Sequence, residues 1–314
     1  MNEMDIIQKL NNLLSQIDTN KIGGKSYPST YIVGCPRSGT TALLQYLAST
    51  EIWSYPSNLV TRFSSLPMMG LLTQKLLFSP DYGLIGINDD IDFSSELGRS
   101  AGALNTNEFF HFFRRFFPND DIRYLNIDEL NKVKIDEMLH EISLFTSVEN
   151  KPFLSKGLMF QYNLEYFHNK MKDDIFIYIK RDDLYVMQSI YYARKKQNSL
   201  DDWWSAKPSN FECLKEKNVY EQIAGQVLHT NLEIENALKL IPDNNKLIIS
   251  YEEFTENPFG VINALSEMYA KHGIEFSCEY ISNSKLFNGN VKKVNDEIWS
   301  EFKSALKSVR NAIQ

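Results

Sequence analysis

Apolar residues in this chain follow two spacings. Short uninterrupted runs occur at Tyr31-Ile32-Val33, Phe153-Leu154, Ile175-Phe176-Ile177-Tyr178-Ile179 and Leu247-Ile248-Ile249, as strands buried on both faces require. Between the runs the spacing is helical. Ile6, Ile7, Leu10, Leu13, Leu14 and Ile17 make one stripe over Met1–Asn20, unlike the continuous apolar core of a signal peptide. Ala42, Leu43, Leu44, Tyr46 and Leu47 open a helix directly after Thr41. Phe109, Phe112, Phe113 and Phe116 fall at i, i+3, i+4 and i+7, which predicts a helix over Asn105–Phe117 ended by Pro118, with Glu108, His111 and Arg115 sharing another face. Further helices are expected from Asp128 toward Phe145, from Asp182 through Ser189 toward Lys196, over 219–241, from Pro258 to about Tyr269, and over 294–312. Ile52–Pro56 reads as a short extra strand. Residues 57–104, punctuated by Gly70, Gly83, Gly86, Gly98 and Gly102, read as mixed helices and loops.

Strands alternating with helices predict an α/β fold with a central parallel sheet flanked by helices. No linker or internal repeat divides the chain, so a single domain is expected over residues 1–314, with 1–28 a helical extension and 57–150 a largely helical insertion. A hydrophobic content of 43% and a charged content of 23% are ordinary for a globular protein. The net charge of −7 and pI near 5.4 weigh against nucleic acid or an anionic membrane surface as a partner. Cys35, Cys213 and Cys278 form neither a disulfide framework nor a metal-ligand pattern, which favours a reducing compartment. No apolar run approaches the length of a membrane span.

The chemistry concentrates in Tyr31-Ile32-Val33-Gly34-Cys35-Pro36-Arg37-Ser38-Gly39-Thr40-Thr41. A strand, a small-residue loop and a helix start point backbone N–H groups and the positive end of a helix dipole at one anion. Arg37 adds a cation, and Ser38, Thr40 and Thr41 add hydroxyls. The nucleotide-triphosphate loop G-x-x-x-x-G-K-(S/T) keeps its glycine spacing at Gly34 and Gly39, but Thr40 stands where its lysine belongs. A phosphatase reading of Cys35 fails because its arginine position holds Thr41. Pro36-Arg37-Ser38-Gly39-Thr40-Thr41 resembles the sulfotransferase loop P-(R/K)-S-G-T-T, which receives the 5′-phosphosulfate of PAPS (3′-phosphoadenosine-5′-phosphosulfate). The resemblance implies a P-loop-like fold with a helical acceptor-side region, PAPS as co-substrate, no metal, and a hydroxyl acceptor. The missing anchor of secretory-pathway members implies a cytoplasmic enzyme.

Ile179-Lys180-Arg181-Asp182-Asp183-Leu184 through Gln188-Ser189 resembles the same family's 3′-phosphate motif, with Arg181 and Ser189 on the phosphate and Asp183 in place of the usual proline. Arg194, further along that helix, is a second cationic candidate. Read without the resemblance, Arg181 is a strand-end ion pair with Asp182 or Asp183. Tyr251-Glu252 followed by Asn257-Pro258 resembles the family's Y-E-x-x-x-x-x-P segment, so Tyr251 either helps enclose the nucleotide or packs in the core.

An acceptor base is harder to find. Cytosolic sulfotransferases use a histidine two residues after a lysine; here Leu154-Ser155-Lys156-Gly157-Leu158 keeps the lysine only. The acid that tyrosylprotein sulfotransferases place after the loop is also missing from Tyr55–Arg62. Lys156 fits a place beside the transferred group, and Glu108 and His111 are the base candidates. Tyr55–Leu59 and Asn105–Phe110 resemble a bacterial group associated with glycan modification, which implies a carbohydrate or glycolipid acceptor. Against a catalytic Glu108 stands Asn105-x-x-Glu108, which also reads as a helix capping box. Trp203-Trp204 suits either a sugar face or packing, and Tyr192–Lys196 either an acidic acceptor or solvent. Two other functions remain open: a P-loop kinase or nucleotide hydrolase, and an inactive nucleotide-binding module.

Overall fold

A computed structural model describes residues 2–85, 100–197, 199–276 and 285–313; Met1, Gly86, Gly98 and Cys278 lie outside the described residues. The chain runs α1 (Glu3–Leu14), β1 (Thr30–Val33), α2 (Thr40–Ser49), α3 (Pro67–Phe78), α4 (Phe110–Phe113), α5 (Ile127–Leu130), α6 (Ile135–Glu149) and β2 (Leu154–Lys156). It continues through α7 (Leu164–Lys170), β3 (Ile175–Lys180), α8 (Asp183–Gln197), α9 (Phe211–Lys215), α10 (Val219–Leu238), β4 (Lys246–Ser250), α11 (Tyr251–Glu256), α12 (Pro258–Ala270) and α13 (Asp296–Ile313).

The strands form one all-parallel sheet in the order β2-β1-β3-β4, flanked by helices. β3 pairs with β4 from Phe176 opposite Lys246 to Lys180 opposite Ser250. Its five apolar residues are buried and only Lys180 reaches solvent, as its unbroken apolar run requires. β4, at the sheet edge, is half-exposed. The chain lays β2 on one side of β1 and β3 on the other. Ligands of open α/β sheets gather at the carboxyl ends of strands beside such a reversal.

Two compact units make up the chain. The first comprises Met1–Tyr31, Leu44–Asp120 and Ile127–Lys156; the second comprises Ile32–Leu43, Asp121–Asn126 and Gly157–Gln314. An aromatic core fills the first: Phe109 stacks on Phe112 at 4.4 Å, Phe112 meets Phe116 edge-on at 5.0 Å, and Phe145 meets Phe153 at 5.5 Å. In the second, α8, α10 and α13 close over Cys35, Met187, Ile190, Ile223, Val227 and Phe302. Burial, with Asp183 adding to it, pushes the Cys35 thiol well up, so a thiolate nucleophile has no place here.

The first unit corrects three expectations. The helix over Asn105–Phe117 shrinks to Phe110–Phe113 plus a 3₁₀ turn at Arg114–Phe116. The four phenylalanines are buried as their spacing demands, but the residues before Phe109 are held elsewhere: Asn58 N–H donates to Asn105 O at 2.8 Å and Asn107 N–H to Pro56 O at 2.9 Å. Ile52–Pro56 is not a strand of the sheet and makes one isolated parallel bridge, Ser54 with Phe153. The helix expected from Asp128 divides into α5 and α6 at Lys134, whose backbone is not helical and whose N–H donates to Phe116 O at 2.9 Å.

Candidate functional site

In the second unit the loop between β1 and α2 is pressed against neighbouring backbone. A Cβ on Gly34 would lie 2.7 Å from Ile179 O, and one on Gly39 would lie 2.4 Å from the Tyr251 ring at a φ of +104°. Arg37 holds a φ of 72°, a left-handed conformation that costs a non-glycine residue energy. Ser38 N–H closes the turn on Cys35 O at 3.1 Å. Ser38 is only 1% exposed, and its hydroxyl has no partner in the protein, an orphaned donor inside the loop. Thr40 and Thr41 sit in the first turn of α2, where the dipole is positive.

The loop meets the start of α8. Arg37 Nε donates to Ser189 Oγ at 2.8 Å, and Arg181 Nη1 donates to Arg37 O at 3.2 Å. The Arg181 guanidinium lies 4.6 Å from the centre of the Tyr251 ring. Residues read from two separate stretches of sequence therefore converge within one unit. Burial pulls the Arg181 guanidinium below its ordinary value, while Tyr251, Glu252 and Asp182 act in the opposite direction. Neither neighbouring aspartate pairs with it: Asp183 takes Arg310 at 2.7 Å, and Asp182 accepts Leu184 N–H at 2.9 Å. A groove of about 460 Å³, lined by Arg181, Asp182, Glu252, Asn290 and Arg310 among others, adjoins this cluster.

A segment before α13 forms part of the cluster and escaped sequence reasoning. Arg181 donates through Nε to Asn290 Oδ1 at 2.7 Å and through Nη2 to Gly289 O at 2.9 Å, and Tyr251 OH accepts Gly289 N–H at 3.0 Å. Gln188 of α8 clasps the next residues, donating to Val291 O at 2.9 Å and accepting Lys293 N–H at 2.6 Å. Asn288-Gly289-Asn290 ahead of Lys292-Lys293 was the available signal, but a loop without periodicity does not say which strand end it crosses.

Arg194, the second cationic candidate, packs inside the second unit. It points from α8 into the packing against α10, 1% exposed, donating to Gln222 Oε1 at 2.8 Å and Gln226 Oε1 at 3.3 Å, with its guanidinium 4.9 Å from the Trp203 ring centre. Burial lowers it to about 10. Trp203 is itself packed edge-on against Phe211 at 4.8 Å and donates to Ala206 O, which favours the packing role for that ring. Tyr192, Lys195 and Lys196 face solvent.

In the first unit, Lys156 ends β2 with its side chain 2% exposed, and its Nζ lies 2.7 Å from Glu108 Oε1 on a side chain 27% exposed. The capping box is not formed, because Asn105 Oδ1 instead accepts Thr106 N–H at 2.8 Å and Gln45 Nε2 at 3.2 Å. His111 is exposed on α4, and the left-handed Phe109 separates it from Glu108, so the expected shared helical face does not exist. Arg115 pairs with Glu141 at 2.6 Å. Among the described residues no group of three or more His, Cys, Asp or Glu could hold a metal ion, and no helix is long and apolar enough to cross a membrane.

Residues 28–276 match the profile of the sulfotransferase family. No curated protein matches the chain in sequence. Among solved structures, sulfotransferase STF1 from Mycobacterium tuberculosis H37Rv superposes with a TM-score of 0.53 at 13% identity, covering 98% of this chain and 80% of that one. Sulfotransferase STF9 from Mycobacterium avium superposes with a TM-score of 0.50 at 12% identity, covering 95% and 72%. At these identities the likeness is one of fold.

Proposed function

The chain belongs to the sulfotransferase family, and from that premise we propose that it transfers the sulfuryl group of PAPS to a hydroxyl of a carbohydrate or glycolipid, releasing PAP. The observation that carries this reading is the cluster of Arg37, Ser189 and Arg181, joined by bonds of 2.8 and 3.2 Å. One end of the donor lies on Pro36, Arg37, Ser38, Gly39, Thr40 and Thr41, and the 3′-phosphate lies on Arg181 and Ser189, with Tyr251 beside them. Ser38 Oγ gains the partner it lacks. The acceptor oxygen gives its proton to Glu108 and bonds to sulfur as the bond from sulfur to the 5′-phosphate oxygen breaks. The departing phosphate carries its new charge onto Arg37 and the loop amides. Lys156 steadies the Glu108 carboxylate and lies beside the transferred group; His111 is the second candidate for the proton. As in loose phosphoryl transfer, positioning and charge stabilisation dominate the acceleration, and no metal is needed. The free thiols Cys35 and Cys213 suit a reducing cytoplasm. What favours a glycan acceptor is the resemblance of Tyr55–Leu59 and Asn105–Phe110 to the bacterial group associated with glycan modification.

Calorimetric titration with PAP and, separately, with ATP and magnesium tests the donor. Binding of PAP alone is expected, and binding of ATP–magnesium in its place would move the chain to the kinase class. Labelled PAPS incubated with cell extracts then tests transfer, and label in protein instead of glycan would overturn the acceptor class. Arg194→Met is expected to leave PAP affinity within twofold of the parent, because Arg194 is held by Gln222 and Gln226. A tenfold loss would return Arg194 to the donor site.

A further inference from the structure

The turn that carries Glu108 is built against the local preference of its own sequence. The four phenylalanines favour one continuous helix, which would carry Glu108 on a face with His111 and Arg115. The chain instead breaks at Phe109, with φ 58° and ψ 25°, a left-handed conformation that a bulky aromatic residue adopts only under constraint. Its ring leaves no slack, being 2% exposed, stacked on Phe112 at 4.4 Å and edge-on to Phe113 at 5.9 Å.

The constraint comes from two asparagines. Asn107 Oδ1 accepts Phe109 N–H at 3.0 Å, closing a side-chain turn across Glu108. Asn107 Nδ2 donates to Asn58 Oδ1 at 2.8 Å, and Asn107 N–H donates to Pro56 O at 2.9 Å. Asn58 is fixed in turn, its Nδ2 donating to Ser100 O and Gly102 O, both at 2.8 Å. Every one of these partners lies in the first unit. Between Asn107 and Phe109, both committed to the protein, only the Glu108 side chain projects, and it meets Lys156 at 2.7 Å. Strain kept in place by this many bonds at a charged side chain is the pattern of a functional constraint.

We propose that Asn107, anchored by Asn58, is a positioning residue: through the left-handed Phe109 it holds the Glu108 carboxylate where it can take the acceptor's proton. The inference rests on Glu108 being the base. Loss of Asn107 lets the turn relax toward a helix and swings Glu108 away from Lys156. A displacement of about 1 Å in a reacting group costs on the order of a hundredfold in rate.

The test uses the full-length enzyme with PAPS and the acceptor found by labelling. Asn107→Ala is expected to lower kcat about 30- to 100-fold, with PAP affinity by calorimetry within twofold of the parent. Asn107→Asp keeps the acceptor for Phe109 N–H but loses the donor to Asn58 Oδ1, and is expected to recover the rate only to the level of Asn58→Ala. Asn58→Ala, which leaves the turn itself intact, is expected to lower kcat several-fold and stands in for Asn107→Ala should that variant not fold. In a Glu108→Gln background, Asn107→Ala is expected to add less than about a twofold loss, since neighbours acting through one group are not additive. A merely structural asparagine would lower the rate equally in both backgrounds. Parent-like kcat in Asn107→Ala or in Asn58→Ala, or a full additive loss in the double variant, overturns the inference. Parent-like kcat in Glu108→Gln alone overturns the assignment of the base, a separate result.

Discussion

Arg37→Ala is expected to lower turnover about a thousandfold, and Arg37→Gly to do the same while remaining the more stable of the two by up to about 1 kcal/mol. Arg37 is asked to do two things that conflict. Its backbone stands at φ 72°, where a residue with a Cβ pays about 1–2 kcal/mol, and in the proposed reaction its guanidinium faces the charge that grows on the leaving phosphate. Removing one preorganised donor from such a position costs about 10²–10³ in kcat, and here the loss also frees Ser189, which holds Arg37 Nε at 2.8 Å. Alanine keeps the strain and loses the bond. Glycine relieves the strain, and that gain of about 1–2 kcal/mol roughly offsets the lost hydrogen bond and the added freedom of its unfolded chain, about 1 kcal/mol each. Chemical denaturation and steady-state rates separate the two effects. An alanine variant within tenfold of the parent rate would remove the loop from the chemistry. A glycine variant less stable than the alanine one would remove the strain.

Features with local causes were legible in the sequence, and features with distant causes were not. β3 was legible because a strand buried on both faces must be apolar at every position, and Ile175–Ile179 is. The turn from β1 to α2 was legible because an apolar run gives way to small residues and then to helical spacing. The four phenylalanines announced their burial, since burial depends on spacing, but not the start of their helix. That start is decided by backbone bonds to residues about fifty positions earlier, Asn58 with Asn105 and Pro56 with Asn107. Arg194 reads as a second cation on the helix that carries Ser189, and sequence alone does not show the two glutamines and the indole that the packing of α8 on α10 brings to it. The Gly289-Asn290 contact with Arg181 spans more than a hundred residues and left no local trace.

Glu108→Gln is expected to lower kcat by about 10³, within the 10²–10⁴ that a positioned general base contributes, while PAP binds as before. The amide preserves size and one acceptor for Lys156 Nζ, now at 2.7 Å from the carboxylate, but removes both the proton acceptor and the counter-charge. Lys156 is only 2% exposed, so part of the cost of breaking a buried pair should appear as lost stability. Glu108 itself is 27% exposed, and solvent screening holds that cost to about 1–2 kcal/mol. Glu108→Asp, which keeps the charge on a shorter arm, should be as stable as the parent to within about 1 kcal/mol and recover about tenfold of the rate. His111→Ala separates the two base candidates. His111 is exposed on a four-residue helix, beyond the left-handed turn that breaks its link to Glu108, and its loss is expected to change kcat less than about threefold. The ordering carries the conclusion. If His111→Ala is the inactive variant and Glu108→Gln the active one, the proton leaves by the helix, and the pair of Glu108 with Lys156 is an internal ion pair that serves the fold alone.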